Sequence, residues 1–215
     1  AWIRAEGRFG SLITVSDGMG SRPNAGLGSR AACSAAREAV SRWAAAEAPV
    51  SYLVHLIEVL WRIRIHPCDP SSAAATCLIA LARPSGEWIV GGIGDGLVAV
   101  RTGDQPVTRF VGERDSSFAN ETHALGASPG LGAWNLSVLP PTQLERVAVV
   151  ATDGISDDLI PDKLDDFCRW IVEEFVELPP SQRWRRLVGE LRNWTTPRHL
   201  DDKTIAVLRV PQDPP

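Results

Sequence analysis

The chain has 215 residues, 44% of them hydrophobic and 22% charged, and its formal net charge is −4. This composition is typical of a globular domain that is long enough to bury a sizeable core. A mildly acidic chain without a basic run gives no support for nucleic acid or an anionic membrane as a partner. No apolar stretch is long enough to span a bilayer, and the first residues do not form a signal peptide. We therefore expect a cytoplasmic monomer.

The elements predicted along the chain are one strand, two helices, a run of strands, two more helices and a last strand. Short aliphatic and β-branched runs bounded by glycine, proline and polar residues predict the strands. These predicted strands are 12–15, 75–82, 88–93, 97–101, 107–111, 134–139, 146–151 and 204–210. Because helices and strands are segregated, the pattern indicates α+β layering and not a repeated βαβ unit.

The predicted helices form two pairs. The first pair covers 24–47, which is rich in alanine, and a stretch from Ser51 to His66 in which Ser51 is the expected N-cap. The second pair covers 161–178 and a helix capped by Ser181. The apolar residues expected on one face of this last helix are Trp184, Leu187, Val188, Leu191 and Trp194.

Two further features concern the loops and the cysteines. Residues 112–133 are polar and glycine-rich without a period, which we interpret as a long functional flap that sets specificity. The cysteines are widely spaced, which favours free thiols in a reducing cytoplasm over zinc ligation. They are Cys33, Cys68, Cys77 and Cys168. The chain begins with alanine and its one methionine is Met19, which indicates a trimmed N-terminus.

Four short acidic motifs lie at the ends of predicted strands. They are 16–20 (SDGMG), 94–96 (GDG), 152–154 (TDG) and 201–204 (DDKT). A lone Asp-Gly is only a turn signal, but four such sites suggest carboxylates gathered at one end of a sheet. Clustered carboxylates repel one another unless a cation neutralises them, and oxygen ligands suit Mg²⁺ or Mn²⁺. The motifs therefore indicate a metal-dependent phosphoryl-transfer or hydrolysis site.

The chain resembles the protein phosphatase 2C family of metal-dependent serine/threonine phosphatases. The matching stretches are 12–20 (LITVSDGMG), 87–100 (EWIVGGIGDGLVAV), 147–159 (VAVVATDGISDDL) and 201–210 (DDKTIAVLRV). Each motif alone is weak, but their order and separation fit the family, and the segments 94–96 and 118–122 resemble a bacterial branch of it. The resemblance implies one domain over 1–215, with the N-terminal strand missing. It also implies a four-layer αββα sandwich of two antiparallel sheets flanked by helix pairs.

The resemblance also implies a centre of two Mg²⁺ or Mn²⁺ ions. Asp17 resembles the ligand that bridges both ions, and the carbonyl of Gly18 would bind one of them. Asp153 and Asp201 resemble the remaining carboxylates. Positions that hold a weaker third ion in some members are matched by Asp95 and Asp157. The implied activity is hydrolysis of phosphoserine or phosphothreonine by a metal-activated water, without a protein nucleophile, on a phosphoprotein substrate in bacterial signalling that opposes a serine/threonine kinase.

Two departures from the family pattern keep other functions open. The family's upstream acidic ligand and its phosphate-binding arginine have no match here, because Glu6 beside Gly7 is typical of a turn and neither Arg4 nor Arg8 fits the motif. Met19 also stands where eukaryotic members often have a histidine. The alternatives are a catalytically impaired phosphatase-like regulatory module and a metal-dependent hydrolase of small phosphoesters.

Plainer roles also remain open for the selected residues. Asp202 competes with Asp201 for one ligand position, and Asp157 and Asp158 are also compatible with surface charges. The eight tryptophans are more simply core groups than a binding platform. The histidines show no ligand spacing; they are His55, His66, His123 and His199.

Overall fold

A computed structural model describes residues 1–46, 48–111, 123–127, 131–175, 177–194 and 201–211. The strands are β1 (Trp2–Gly7), β2 (Gly10–Val15), β3 (Cys77–Ala82), β4 (Trp88–Ile93), β5 (Leu97–Thr102), β6 (Thr108–Val111), β7 (Asn135–Leu139), β8 (Arg146–Ala151) and β9 (Ile205–Val210). The α-helices are α1 (Ala25–Ala46), α2 (Val50–Ile65), α3 (Asp153–Ser156), α4 (Leu164–Phe175) and α5 (Pro180–Arg192). Short 3-10 helices occupy Pro70–Ala73, Leu131–Ala133 and Pro161–Lys163.

The strands form two antiparallel sheets. The first has the order β1-β2-β3-β4-β7 and the second the order β6-β5-β8-β9. Helices α1 and α2 cover the outer face of the first sheet, and α4 and α5 cover the outer face of the second. The predicted α+β sandwich of four layers is therefore confirmed.

Strand β3 shows how one strand serves two layers of the core. All of its residues are buried. Successive side chains of a strand point to opposite faces, so that Ile79 packs towards the helices while Leu78 packs towards the second sheet. This explains why the sequence of β3 is an almost unbroken apolar run and not an alternating one.

Helix α1 lies close to its neighbours because its buried face is made of small residues. Ala32, Ala35, Ala36 and Ala39 on this face are fully buried. At Gly28 a Cβ atom would lie 1.8 Å from the carbonyl oxygen of Ala73, so only glycine fits. No helix in the described part of the chain is both long enough and apolar enough to cross a membrane.

The structure corrects the predicted helix starts. Helix α2 begins at Val50 after Pro49, and α5 begins at Pro180 after Pro179; neither has a side-chain cap. Ser51 and Ser181 are therefore not N-caps. Pro180 is the first residue of α5, where its fixed φ suits the helix and its missing N–H costs nothing. Pro49 has a non-helical ψ of 152° and stands immediately before α2.

Two further features differ from the prediction: two tryptophans are exposed, and an additional strand precedes β2. Trp184 is 60% exposed and Trp2 is 53% exposed, so neither is a core residue. Trp2 belongs to β1, an edge strand that pairs with β2. Glu6 lies in β1 as well, and the turn follows it at Arg8 and Phe9.

The flap predicted at 112–133 lies mostly outside the described residues. Within 123–127, Leu125 forms an isolated antiparallel bridge with Ala75 and is only 2% exposed. Ala124 and Leu125 are therefore core residues, whereas His123 and Ala127 are exposed.

Candidate metal centre

The sheet registers bring the acidic motifs to one end of the sandwich. In the first sheet Val15 pairs with Leu78, which pairs with Gly92, so the residues after β2 and after β4 lie at the same end. In the second sheet Leu97 pairs with Ala151, which pairs with Ile205. The start of β5, the end of β8 and the start of β9 therefore also share one end. Asp17 and Asp95 follow strands of the first sheet, while Asp153 and Asp201 border strands of the second.

A pair of hydrogen bonds to Thr76 fixes the backbone of Asp17. The Asp17 N–H donates to Thr76 Oγ1 (2.8 Å), and the Thr76 N–H donates to the Asp17 carbonyl (2.8 Å). The fully buried Ser16 adds a hydrogen bond from its Oγ to the Thr76 carbonyl (2.6 Å). These bonds continue the β2–β3 pairing beyond the strand and hold the Asp17 side chain at its end.

Thr152 binds the segment before β9 to the end of β8. Its Oγ donates to the Asp202 carbonyl (3.0 Å) and accepts from the Thr204 N–H (3.0 Å), while its own N–H donates to the Thr204 carbonyl (3.0 Å). Thr152 is 2% exposed, so water does not compete for these bonds. Residues 201–204 have no regular secondary structure, and Thr152 therefore sets where Asp201 lies relative to Asp153.

The glycines that follow Asp17 and Asp153 are required by close backbone contacts. A Cβ on Gly18 would lie 2.4 Å from the Ala25 carbonyl oxygen, and a Cβ on Gly154 would lie 2.5 Å from the Asp202 carbonyl oxygen. Real Cβ atoms do not approach oxygen so closely, so the Asp-Gly pairs exist for packing as well as for turning.

The aspartates of this site destabilise one another's charged forms. Burial first, and then the charges of Asp153 and Asp201, raise the pKa of Asp17 to about 6. Burial also raises the pKa of Asp153, followed by the charge of Asp95 and more weakly by those of Asp201 and Asp157. Each of Asp17, Asp153 and Asp201 accepts one hydrogen bond from the next backbone N–H. For Asp17 and Asp153 this bond only partly offsets the rise in pKa. The three carboxylates therefore share a negative field that a cation would relieve.

The other selected acids lie around this group in different settings. Asp95 lies in the turn between β4 and β5, and Asp157 is exposed at the end of α3. Asp202 is exposed and contributes its carbonyl to Thr152. Asp158 is not a surface charge, because its side chain is 5% exposed and is paired with a lysine.

The sequence matches the family model described as Protein phosphatase 2C over residues 2–194. The chain belongs to the protein phosphatase 2C family. A search of curated proteins gives no match.

Solved structures of this family share the fold at low sequence identity. The SiaA-PP2C domain of Pseudomonas aeruginosa is 16% identical with a TM-score of 0.61, over 97% of this chain and 79% of that one. RsbX in complex with magnesium is 15% identical with a TM-score of 0.58, over 97% and 85%. The SpoIIE phosphatase domain of Bacillus subtilis, solved with a fragment of its regulatory domain, is 15% identical with a TM-score of 0.59, over 100% and 59%.

The protein phosphatase 2C family is metal-dependent, and the acidic residues here fit such an ion by their chemistry. The donors are carboxylate and carbonyl oxygens, as Mg²⁺ and Mn²⁺ prefer, and the pKa of Asp17 is raised first by burial and then by the negative charge of Asp153. Across the described ranges, no three His, Cys, Asp or Glu side chains gather into a ready-made cluster. Mg²⁺ keeps several waters and needs few direct carboxylates, so a spread set of acids suits it.

Sequence reasoning missed the residues that support the acids. Thr76 and Thr152 each bond to segments about 50 or more residues away along the chain. Thr152 lies inside the TDG motif, and its position directly before Asp153 is the sequence feature that could have indicated a supporting role. Thr76 directly precedes β3 in an otherwise apolar stretch, where a buried hydroxyl needs a partner.

Proposed function

We propose that this phosphatase 2C family member hydrolyses phosphoserine or phosphothreonine in a phosphoprotein, with two Mg²⁺ or Mn²⁺ ions at the Asp17–Asp153–Asp201 site. The observation that carries the proposal is that the sheet registers bring these aspartates to one end of the sandwich, where burial and neighbouring carboxylates raise the pKa of Asp17 and Asp153. Such shifts cost folding free energy, and functional sites are where proteins retain perturbed carboxylates. The proposed unit is one domain over residues 1–215.

The roles of the chain's residues follow from their positions. Asp17, supported by the Gly18 carbonyl, would bridge the ions, and Asp153 and Asp201 would complete the carboxylate set. Asp95 and Asp157 would hold a third, weaker ion beside Asp153, a role supported by their charges, since both raise the pKa of Asp153. When bound, the ions supply Lewis acidity that activates water for attack on phosphorus and neutralises phosphoryl oxygens.

Thr76 and Thr152 would keep the acids in place as the substrate binds. Both hydrogen-bond the backbone next to an aspartate from a buried position, and such support is what a site needs to hold a fixed geometry. Met19 follows Asp17-Gly18 and has no titratable group, so the proposed reaction takes no proton from this position.

We further propose a bacterial signalling role for a cytoplasmic, monomeric protein whose substrate is phosphorylated by a serine/threonine kinase. Structural neighbours of similar fold include a part of the bacterial stressosome and the cell fate determinant SpoIIE. These neighbours support a role in bacterial signalling.

The test is dephosphorylation of a phosphothreonine peptide with and without Mn²⁺. Asp17→Asn and Asp153→Asn should each lower Mn²⁺-dependent turnover by more than about a hundredfold, because loss of a ligand costs more than loss of a supporting residue. Asp104→Asn is the matched control, since this aspartate is fully exposed in the β5–β6 turn at the other end of the sandwich.

Three outcomes would contradict the proposal in different ways. Turnover that persists in EDTA would exclude the metal-dependent mechanism. Faster turnover of p-nitrophenyl phosphate than of the peptide would indicate a small-phosphoester hydrolase. Tight binding of the peptide without turnover, in protein that binds Mn²⁺, would indicate a regulatory module.

A further inference from the structure

A buried ion pair joins the segment that follows α3 to the segment that precedes β9. Lys203 Nζ is 3.3 Å from Asp158 Oδ2, and the side chains are only 11% and 5% exposed. In every other ion pair between two described residues, both side chains are at least 20% exposed. The Lys203–Asp158 pair is thus set apart by its burial.

Trp194 makes the pair part of a three-way junction. Its indole Nε1 donates to the same Asp158 oxygen (2.9 Å), and its ring packs edge-on against Phe167 with centroids 6.1 Å apart. Asp158 follows α3, Lys203 precedes β9, and Trp194 follows α5. The junction therefore joins the end of α3 to two segments that lie 36 or more residues later in the chain.

Buried ion pairs are a poor source of stability, because the loss of hydration offsets most of the attraction. Their best-supported use is to specify position. Here the position at stake is that of Asp201, two residues before Lys203 in a segment without regular structure. Thr152 also holds this segment, through its hydrogen bonds to the Asp202 carbonyl and the Thr204 N–H.

We propose that Lys203 is a positioning residue, which acts through Asp158 to hold Asp201 towards Asp17 and Asp153. This rests on the proposed metal-dependent function. Lys203 itself does not contact the ions or the substrate. Its charge is neutralised by Asp158, and its role is to fix the segment that carries Asp201.

The decisive measurement is Mn²⁺ affinity of the metal-free protein, by calorimetry, for wild type and Lys203→Met. Removing a positive charge near a cation site should by itself tighten Mn²⁺ binding. Loss of positioning should weaken it, by about 10- to 100-fold, as is typical of residues that orient metal ligands. The two effects have opposite signs, so the direction of the change decides. The control is Lys163→Met, which breaks the exposed pair with Asp166.

The double variant Asp158→Asn/Lys203→Met guards against misfolding of the single variant. It removes both charges of the pair and keeps their sum at zero, so the charge effect expected for the single variant is absent and weaker Mn²⁺ binding reports position. Weaker binding by folded double variant supports the proposal, and unchanged or tighter binding overturns it. If wild type itself binds no Mn²⁺, the proposed function fails together with the positioning role; equal binding by wild type and variants overturns the positioning role alone.

Discussion

At the scale of single residues, Asp17 ties stability to function through its proton. Its pKa is raised from 3.8 to about 6, first by burial and then by Asp153. The folded protein therefore holds this proton to higher pH than the unfolded chain does. The protonated carboxyl stabilises the fold fully below about pH 4, and this contribution is lost as the pH rises through about 6. A cation that replaces the proton would restore it.

We predict that Asp17→Asn becomes progressively more stable than metal-free wild type between about pH 4 and pH 6, with a constant difference above. The neutral amide avoids the repulsion that wild type develops. Urea unfolding in EDTA at several pH values measures the difference, and saturating Mn²⁺ should reverse it at pH 7. Asp69→Asn is the control, and it should be less stable than wild type at these pH values. Hydrogen bonds from Ser71 lower the pKa of Asp69 and so stabilise its charged form in the folded protein. Parallel pH profiles for wild type and Asp17→Asn would contradict the prediction.

At the scale of elements, α3 and the segment before β9 are held in contact by a glycine. Gly154 has no room for a side chain, because a Cβ would lie 2.5 Å from the Asp202 carbonyl oxygen. The same contact brings the segment that carries Asp201 close to Asp153. Packing and site geometry therefore both depend on the absence of a side chain at Gly154.

Gly154→Ala should lower the free energy of unfolding by about 1–3 kcal/mol and weaken Mn²⁺ binding, because the segment 201–204 must move away. The matched control is Gly189→Ala in the middle of α5, where a Cβ meets nothing within 4 Å. This control should gain about 0.5–1 kcal/mol from helix propensity. Denaturant unfolding and calorimetry measure both quantities, and a Gly154→Ala protein as stable as wild type would show that the contact is not tight.

The elements that could be predicted are those whose signal is local. Strands β4 and β8 match their predicted bounds because each is an apolar run between turns. Strand β1 was missed because it is an edge strand whose residues are mostly exposed and partly charged. It is a strand because it pairs with β2. The proline starts of α2 and α5 were missed because a nearby serine offered a plausible cap.

At the scale of the whole molecule, the ordered acidic motifs were enough to place Asp17, Asp153 and Asp201 at one end. The residues that hold them were not predictable, because Lys203 and Asp158 meet only through the fold. A charge pair between residues 45 positions apart leaves no periodicity in the sequence, and burial alone distinguishes it from the surface pairs.

The site also depends on the layer between the sheets, since one sheet carries Asp17 and the other Asp153 and Asp201. Leu78 is fully buried in this layer, and one of its methyl carbons lies 2.9 Å from where a Cβ on Gly96 would be. Leu78→Ala should therefore cost about 2–5 kcal/mol, as for other buried leucines, whereas Leu144→Ala, 43% exposed, should cost about 0.5 kcal/mol or less.

Because both sheets share this layer, Leu78→Ala should lower their stability together. Far-UV circular dichroism and tryptophan fluorescence should give coincident urea transitions, shifted to lower urea by the same amount. Trp88 reports on the inter-sheet layer and Trp61 on the helix layer of the first sheet. Separate transitions would show that the sheets unfold independently. Saturating Mn²⁺ should shift the coincident transition to higher urea, because a site built from both sheets binds the ion only when the two are folded at once.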